Sequence, residues 1–245
     1  MLINNPFSAI IFISGGNCTG EIMQEKVQVL GIELDNCSTK EGMKRVVDYM
    51  QMERMNVVEM ITMNTVAHFQ AIEDEKNVFQ TFDLVLPSDR GILQAVGIED
   101  ERRLKEVDEF LFIKMVIRYL QKNGIRVFLL SQSEISRLQM EKYIEEEFEN
   151  LNIVASTSLE ERMSSDDIFN LINGSEVECV LSTLMSPVEE YFISRNRSMI
   201  NARIWLGFGA LLNDMKKEKK GWEKIVQRIY RRILKKEVEK NKKEI

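Results

Sequence analysis

The sequence predicts an α/β fold: a mostly parallel sheet with helices on both faces. Two observations carry that expectation. Apolar runs bounded by turn signals alternate with segments of helical periodicity through most of the chain. Several of those runs are continuously apolar, as strands covered on both faces are. The composition agrees, since 3 Pro and 12 Gly in 245 residues argue against a disordered or β-rich chain. With 44% hydrophobic residues, the length suits one large domain, or one domain with an appendage.

The elements follow in order. "VQVLGIEL" (27–34) reads as a strand ending near Asp35. "STKEGMKRVVDYMQM" opens with Ser38 and Thr39, has Glu41 shortly after, and repeats apolar residues at Met43, Val46, Val47 and Met50, a capped amphipathic helix. "VVEMITM" (57–63) is a strand, "TVAHFQAIEDEKNVFQTF" a helical stretch and "DLVLP" (83–87) a strand stopped by Pro87. "LKEVDEFLFIKMVIRYLQKNG" reads as one long helix closed by Asn123 and Gly124. "IRVFLLS" (125–131) and "LNIVAS" (151–156) are strands on either side of the helix "EISRLQMEKYIEEEF". "SDDIFNLINGS" is a short helix capped by Ser165 or Asp166, and "VECVLSTL" (177–184) is a strand. "SPVEEYFISRNRSMI" is a helix with Pro187 near its first turn, and "ARIWLGFG" (202–209) is the last strand.

Charge is unevenly spread. Residues 216–245 hold 13 Lys and Arg against 5 Asp and Glu, which leaves 20 against 34 for the rest of the chain. An acidic body with a basic tail predicts a tail that meets something anionic; a merely solvated helix is the alternative. Cys18, Cys37 and Cys179 have neither CxxC spacing nor an even count, which fits structural thiols in a reducing, cytoplasmic setting. His68 is the single histidine and reads as a packed or surface side chain. No metal site is expected. "FSAIIFISGG" is too short to cross a bilayer and lacks the basic start and small-residue cleavage site of a signal peptide.

Ligands of doubly wound sheets bind outside the carboxyl ends of the strands. The loops to inspect are therefore 62–64, 87–91, 131–133, 155–157, 183–187 and 207–210. At these loops the sequence resembles the WecG/TagA/CpsF family of bacterial glycosyltransferases. "VLGIELDNCSTKEGMKRV" is similar to the family's opening, and "TMNTVAHFQAIEDEKNVFQTFDLVLPSDRGI" to its "T-x-N … A-D-L-V-x-P-D-G-x-G". "NGIRVFLL" and "LNIVAS" match its paired strands, "SPVEEYFISRNR" its "S-P-K-Q-E-x-W-I-x-x-N-R", and "IYRRILKK" its closing motif. The resemblance implies a Rossmann-like core over 23–212 and a basic amphipathic helical appendage over 213–245. It implies transfer of an N-acetylmannosamine-type sugar from a UDP donor to an undecaprenyl-diphosphate-linked acceptor, with no essential divalent metal and no other cofactor. Such reactions build teichoic acids, enterobacterial antigen and capsular or extracellular polysaccharide.

By the same resemblance Ser88 stands at the family's catalytic Asp, with Asp89 one residue along. A serine cannot serve as a carboxylate base near neutral pH, and a displaced base must still reach the acceptor hydroxyl. Asp89 is either that base or a helix-capping aspartate. Thr62 and Asn64 match "T-x-N" and imply substrate contact; closing the strand-to-helix turn is the alternative. Arg103, Glu189 and Glu190 stand at family substrate-binding positions, although Glu189 replaces a Gln and Val188 a Lys, and a surface ion pair is the alternative for Arg103. Family glycines are replaced at Glu106, Ser131, Ala155, Thr183, Met185 and Phe208, and a family Asp at Leu212. Glycines at strand ends let a backbone approach a diphosphate closely, so these losses predict a donor site no longer held for UDP-sugar.

In the tail, Trp222, Ile225, Val226, Ile229, Tyr230, Ile233 and Leu234 form one helical stripe flanked by Lys224, Arg228, Arg231, Arg232, Lys235 and Lys236. The stripe either docks on its own core or lies at an anionic membrane surface on the inner face, where it would meet a lipid-linked acceptor. The family's start aligns near Met23. Residues 1–22 are then either translated leader, since Thr19-Gly20-Glu21 can be encoded with AGGAG upstream of an ATG, or an extra edge strand. Two functions stand. One is a degenerate family member acting as a structural or regulatory partner, of an active paralogue or of a second copy. The other is an active, divergent transferase using Asp89, Thr62 and Asn64. Neither implies nucleic-acid binding.

Overall fold

The computed structural model describes residues 26–70, 73–160, 164–209, 211–212 and 215. The chain divides into two units, Met1–Ala210 and Leu211–Ile245. The basic stripe and Met23 lie outside the described residues.

Among the described residues of the first unit, six strands form one parallel sheet. They are β3 (Asn56–Ile61), β4 (Leu84–Pro87), β5 (Val127–Ser131), β6 (Ile153–Ser158), β7 (Cys179–Ser182) and β8 (Ile204–Gly207), in the order β4-β3-β8-β7-β5-β6. The helices α1 (Thr39–Tyr49), α2 (Met63–Gln70), α3 (Arg90–Ala95), α4 (Glu101–Asp108), α5 (Leu111–Lys122), α6 (Glu134–Glu147), α7 (Ser165–Gly174) and α8 (Val188–Asn196) lie between the strands, with 3-10 segments at Glu73–Thr81 and Arg197–Met199. The continuous apolar runs are explained by burial: every residue of β3, β4, β5, β7 and β8 is buried. On one face Trp205, Ile61 and Leu130 pack with Phe69, Phe169 and Phe192 of the helices. On the other, α1 and α5 meet over Leu86. A Cβ at Gly42 would stand 3.0 Å from the Phe112 ring, so any other residue there would push the ring aside by a few tenths of an ångström.

The structure corrects three local expectations. "VQVLGIEL" is two short strands, β1 (Lys26–Val29) and β2 (Ile32–Asp35), paired antiparallel about Leu30 and Gly31. Both turn residues have positive φ, 50° and 86°, which is the geometry that reverses a chain in two residues. The single long helix is α4 and α5, broken where Phe110 takes a left-handed φ of 53°. The cap of α7 is Ser164, whose side chain accepts from the Asp167 N–H. Other ends fall where the sequence puts them: Ser38 and Glu41 form the capping box of α1.

Asp35 ties the hairpin to the sheet. Its buried carboxylate accepts from the Val85 N–H at 2.9 Å and from Arg45 at 2.8 Å. One free N–H of the edge strand β4 is thereby satisfied rather than left to pair with another chain.

Candidate functional site

The carboxyl ends of the parallel strands bring together Thr62 after β3, Ser88 after β4, Ser131 of β5, Ser158 of β6, Thr183 after β7 and Gly207 of β8. Each sequence-predicted residue can be placed against this rim.

Asp89 is the N-cap of α3. One carboxylate oxygen accepts from the Ile92 N–H at 2.9 Å, and the other from the Met63 N–H at 2.6 Å. A single side chain therefore closes the first turns of both α2 and α3. Ser88 is buried and donates its hydroxyl to the Ile61 carbonyl at 2.5 Å, so its oxygen faces the β3 backbone. Thr62 accepts from the Thr65 N–H at 3.3 Å, while its carbonyl begins the α2 ladder with Val66 at 3.0 Å. Asn64 is exposed in the first turn of α2.

Arg103 projects from α4 and donates to the Asn36 side chain at 3.1 Å and the Cys37 carbonyl at 2.9 Å. These bonds fix the segment that joins the β1–β2 hairpin to α1. Glu106, three residues along the same helix, accepts from the Thr39 N–H at 3.3 Å. Beside Ser88 these residues, with Met60, Leu86 and Phe110, enclose a cavity of about 40 Å³. Pockets that hold drug-sized or nucleotide-sized ligands run to about 300–1,000 Å³. Burial, with Arg45 opposing, pushes the Cys37 thiol up to about 11.

Three of the positions where family glycines are replaced, Ser131, Thr183 and Phe208, carry buried side chains. The Ser131 and Thr183 hydroxyls meet at 2.9 Å in the interior, which knits β5 to β7. Phe208 is fully buried, and Met185 is half-exposed at 52%.

Glu189 and Glu190 lie in the first turn of α8 and are both buried, at 1% exposure. Trp205 donates its indole N–H to Glu189 at 3.1 Å. Burial pushes the Glu189 carboxyl well above the usual carboxylate range, although the Ser182 hydroxyl, the Trp205 indole and the Gly209 N–H all favour its charged form. Burial likewise raises Glu190. Sequence reasoning missed the third member of this group, Glu59, which is buried within β3. The signal was present: it is the one charged residue inside "VVEMI".

The chain matches the Glycosyl transferase WecG/TagA/CpsF family over residues 27–234. The chain belongs to that family. No curated protein matches it closely enough to add a more specific assignment. Membership makes this a glycosyltransferase-type protein of the WecG/TagA/CpsF family. Among the described residues, no helix is long and apolar enough to cross a membrane.

Proposed function

We propose that the chain is a WecG/TagA/CpsF-type protein of cell-envelope polysaccharide synthesis whose donor site has lost its hold on UDP-sugar. It acts there as a structural or regulatory partner, of an active paralogue or of a second copy. The observation that carries this reading is Asp89. Each of its oxygens accepts from a backbone N–H at the start of a different helix, while the adjacent Ser88, at the family's Asp position, is buried and bonded to the β3 backbone. A general base is aimed at the acceptor hydroxyl, whereas these two bonds hold the Asp89 carboxylate in a capping orientation. The side chains at former glycine positions support the same reading from the donor side. The basic tail, with Lys224, Arg228, Arg231, Arg232 and Lys235, supplies the contact with an anionic inner membrane surface or with the lipid-linked acceptor held there.

Calorimetry with UDP and UDP-N-acetylmannosamine, with and without lipid-linked acceptor, tests it. The expected result is no heat at millimolar ligand from a folded sample. Saturable binding that is lost in Thr62→Ala overturns the proposal. It would establish instead a divergent transferase moving an N-acetylmannosamine-type sugar from UDP.

A further inference from the structure

We propose that Glu59 and Glu189 share one proton across the space that Gly207 leaves open, and that this pair is a pH-sensitive latch. It holds the first turn of α8, and with it the 183–187 loop, against the sheet.

The geometry is set by the sheet register. Glu59 of β3 lies beside Gly207 of β8, and Gly207 lies beside Ser182 of β7, so the three form one row across the strands. A Cβ built on Gly207 would fall 2.1 Å from Glu59 Oε2 and 2.9 Å from Glu189 Oε1. The two carboxyls therefore converge on the volume that any other residue would fill, one from the sheet and one from α8. Their surroundings differ. Glu189 receives donors from β8, β7 and the loop after β8, namely the Trp205 indole, the Ser182 hydroxyl and the Gly209 N–H. Glu59 Oε2 is buried with no partner. An ionised carboxylate in that position would face Glu189 with nothing to offset it; a protonated one can donate to it. When the pair holds one proton, Glu59 is thus its holder and Glu189 the ion.

Among the described residues, no cation relieves the pair. The charged groups that act on Glu59 are Glu189 and Glu190 of α8, and the one that acts on Glu189 is Glu190. Ser182, Trp205 and Gly207 carry no charge. Among the described residues, no group of three His, Cys, Asp or Glu is arranged to hold a metal ion. Burial, then the two neighbouring charges, push Glu59 well above the usual carboxylate range.

The sign follows by linkage. The folded chain keeps a proton that the unfolded chain releases near the ordinary glutamate value of about 4.3. The contribution to stability is complete below that pH and is lost as pH rises through the raised, folded value, about tenfold in the folding equilibrium constant per pH unit for one proton. Above the folded value both carboxyls are charged, and α8 is the element free to move away.

The test uses the full chain with Trp222→Phe, which leaves Trp205 as the one tryptophan of the two present. Urea unfolding is followed at about pH 6, 7 and 8 for this chain and for Glu59→Gln. The ratio of folding constants, Gln variant to parent, is expected to rise about tenfold per pH unit while the pH lies below the raised folded value and to level off above it, where Trp205 emission begins to respond to pH in the parent alone. A ratio that does not change with pH overturns the proposal. Infrared spectroscopy of the unmodified chain reads the same proton without any variant. A protonated-carboxyl band near pH 7 is expected, and its absence overturns the shared proton even if Glu59→Gln fails to fold.

Discussion

Replacing Asp89 by alanine removes two hydrogen bonds that sit at the starts of two helices. The bond to the Ile92 N–H is an N-cap, and losing such a cap costs about 0.5–2 kcal/mol. The bond to the Met63 N–H, at 2.6 Å and part-buried, involves a charged acceptor, and such bonds contribute about 1.5–3 kcal/mol. Because the two share one side chain they do not simply add, and Asp89→Ala is expected to cost about 2–4 kcal/mol. Asp89→Asn separates them. Its amide oxygen can still cap Ile92, since Asn is as good a cap as Asp, but its NH2 group meets the Met63 N–H as a second donor. The expected order of stability is parent, then Asn, then Ala. Urea unfolding followed by circular dichroism reads it: with a slope of about 3 kcal/mol per molar urea, the Ala variant shifts the midpoint down by about 1 M. A catalytic base would behave differently, with both variants near parental stability and equally inactive. If Asp89→Ala unfolds within about 0.5 kcal/mol of the parent, the capping account is wrong and the residue is free to act on a substrate.

Three further predictions read other parts of the structure. Gly207→Ala puts a methyl 2.1 Å from Glu59 Oε2, so the carboxyl must shift and the variant is expected to lose about 1–3 kcal/mol; an unchanged melting temperature would refute the packing described. Cys37, its thiol held at about 11, is expected to alkylate at about pH 8 roughly 200-fold more slowly than a free thiol, its rate rising about tenfold per pH unit; peptide-resolved mass spectrometry after timed iodoacetamide measures this, and labelling at the free-thiol rate counts against it. Trp205→Phe takes one donor from the buried Glu189 carboxyl and is expected to cost about 1–3 kcal/mol in thermal or urea unfolding, with a null result showing that the indole bond is dispensable.

The architecture was legible because burial on both faces of a parallel sheet writes itself as unbroken apolar runs, and "VFLLS" and "IWLG" are such runs. Caps with a side-chain signature were legible too, as at Ser38 and Glu41. What escaped were features with no periodic mark. "VLGI" carries an apolar pattern straight through a two-residue reversal, and its Leu30 is an uncommon choice for positive φ. Phe110 breaks a helix without a glycine or proline, in the middle of a pattern that stays amphipathic on both sides. At the rim, family spacing placed Thr62, Ser88 and Asp89 at neighbouring strand ends. The partners that occupy them are backbone groups, and a motif does not name which backbone groups a side chain will bond. Glu59 was hidden for a different reason: a charge within an apolar strand is visible, but the two carboxyls that meet it come from the first turn of α8, far along the chain.

The missing side chain at Gly207 also constrains how this sequence can change. A carboxylate at position 59 and any side chain at position 207 exclude one another, because both claim the same few cubic ångströms. Substitutions there have an order. Position 59 can shrink first, leaving a small void that position 207 can later fill; the reverse order passes through a chain whose buried Glu59 carboxyl is forced aside. A descendant with alanine or serine at 207 is therefore expected to carry a small residue at 59, and the two sites form a one-way gate in the history of the fold.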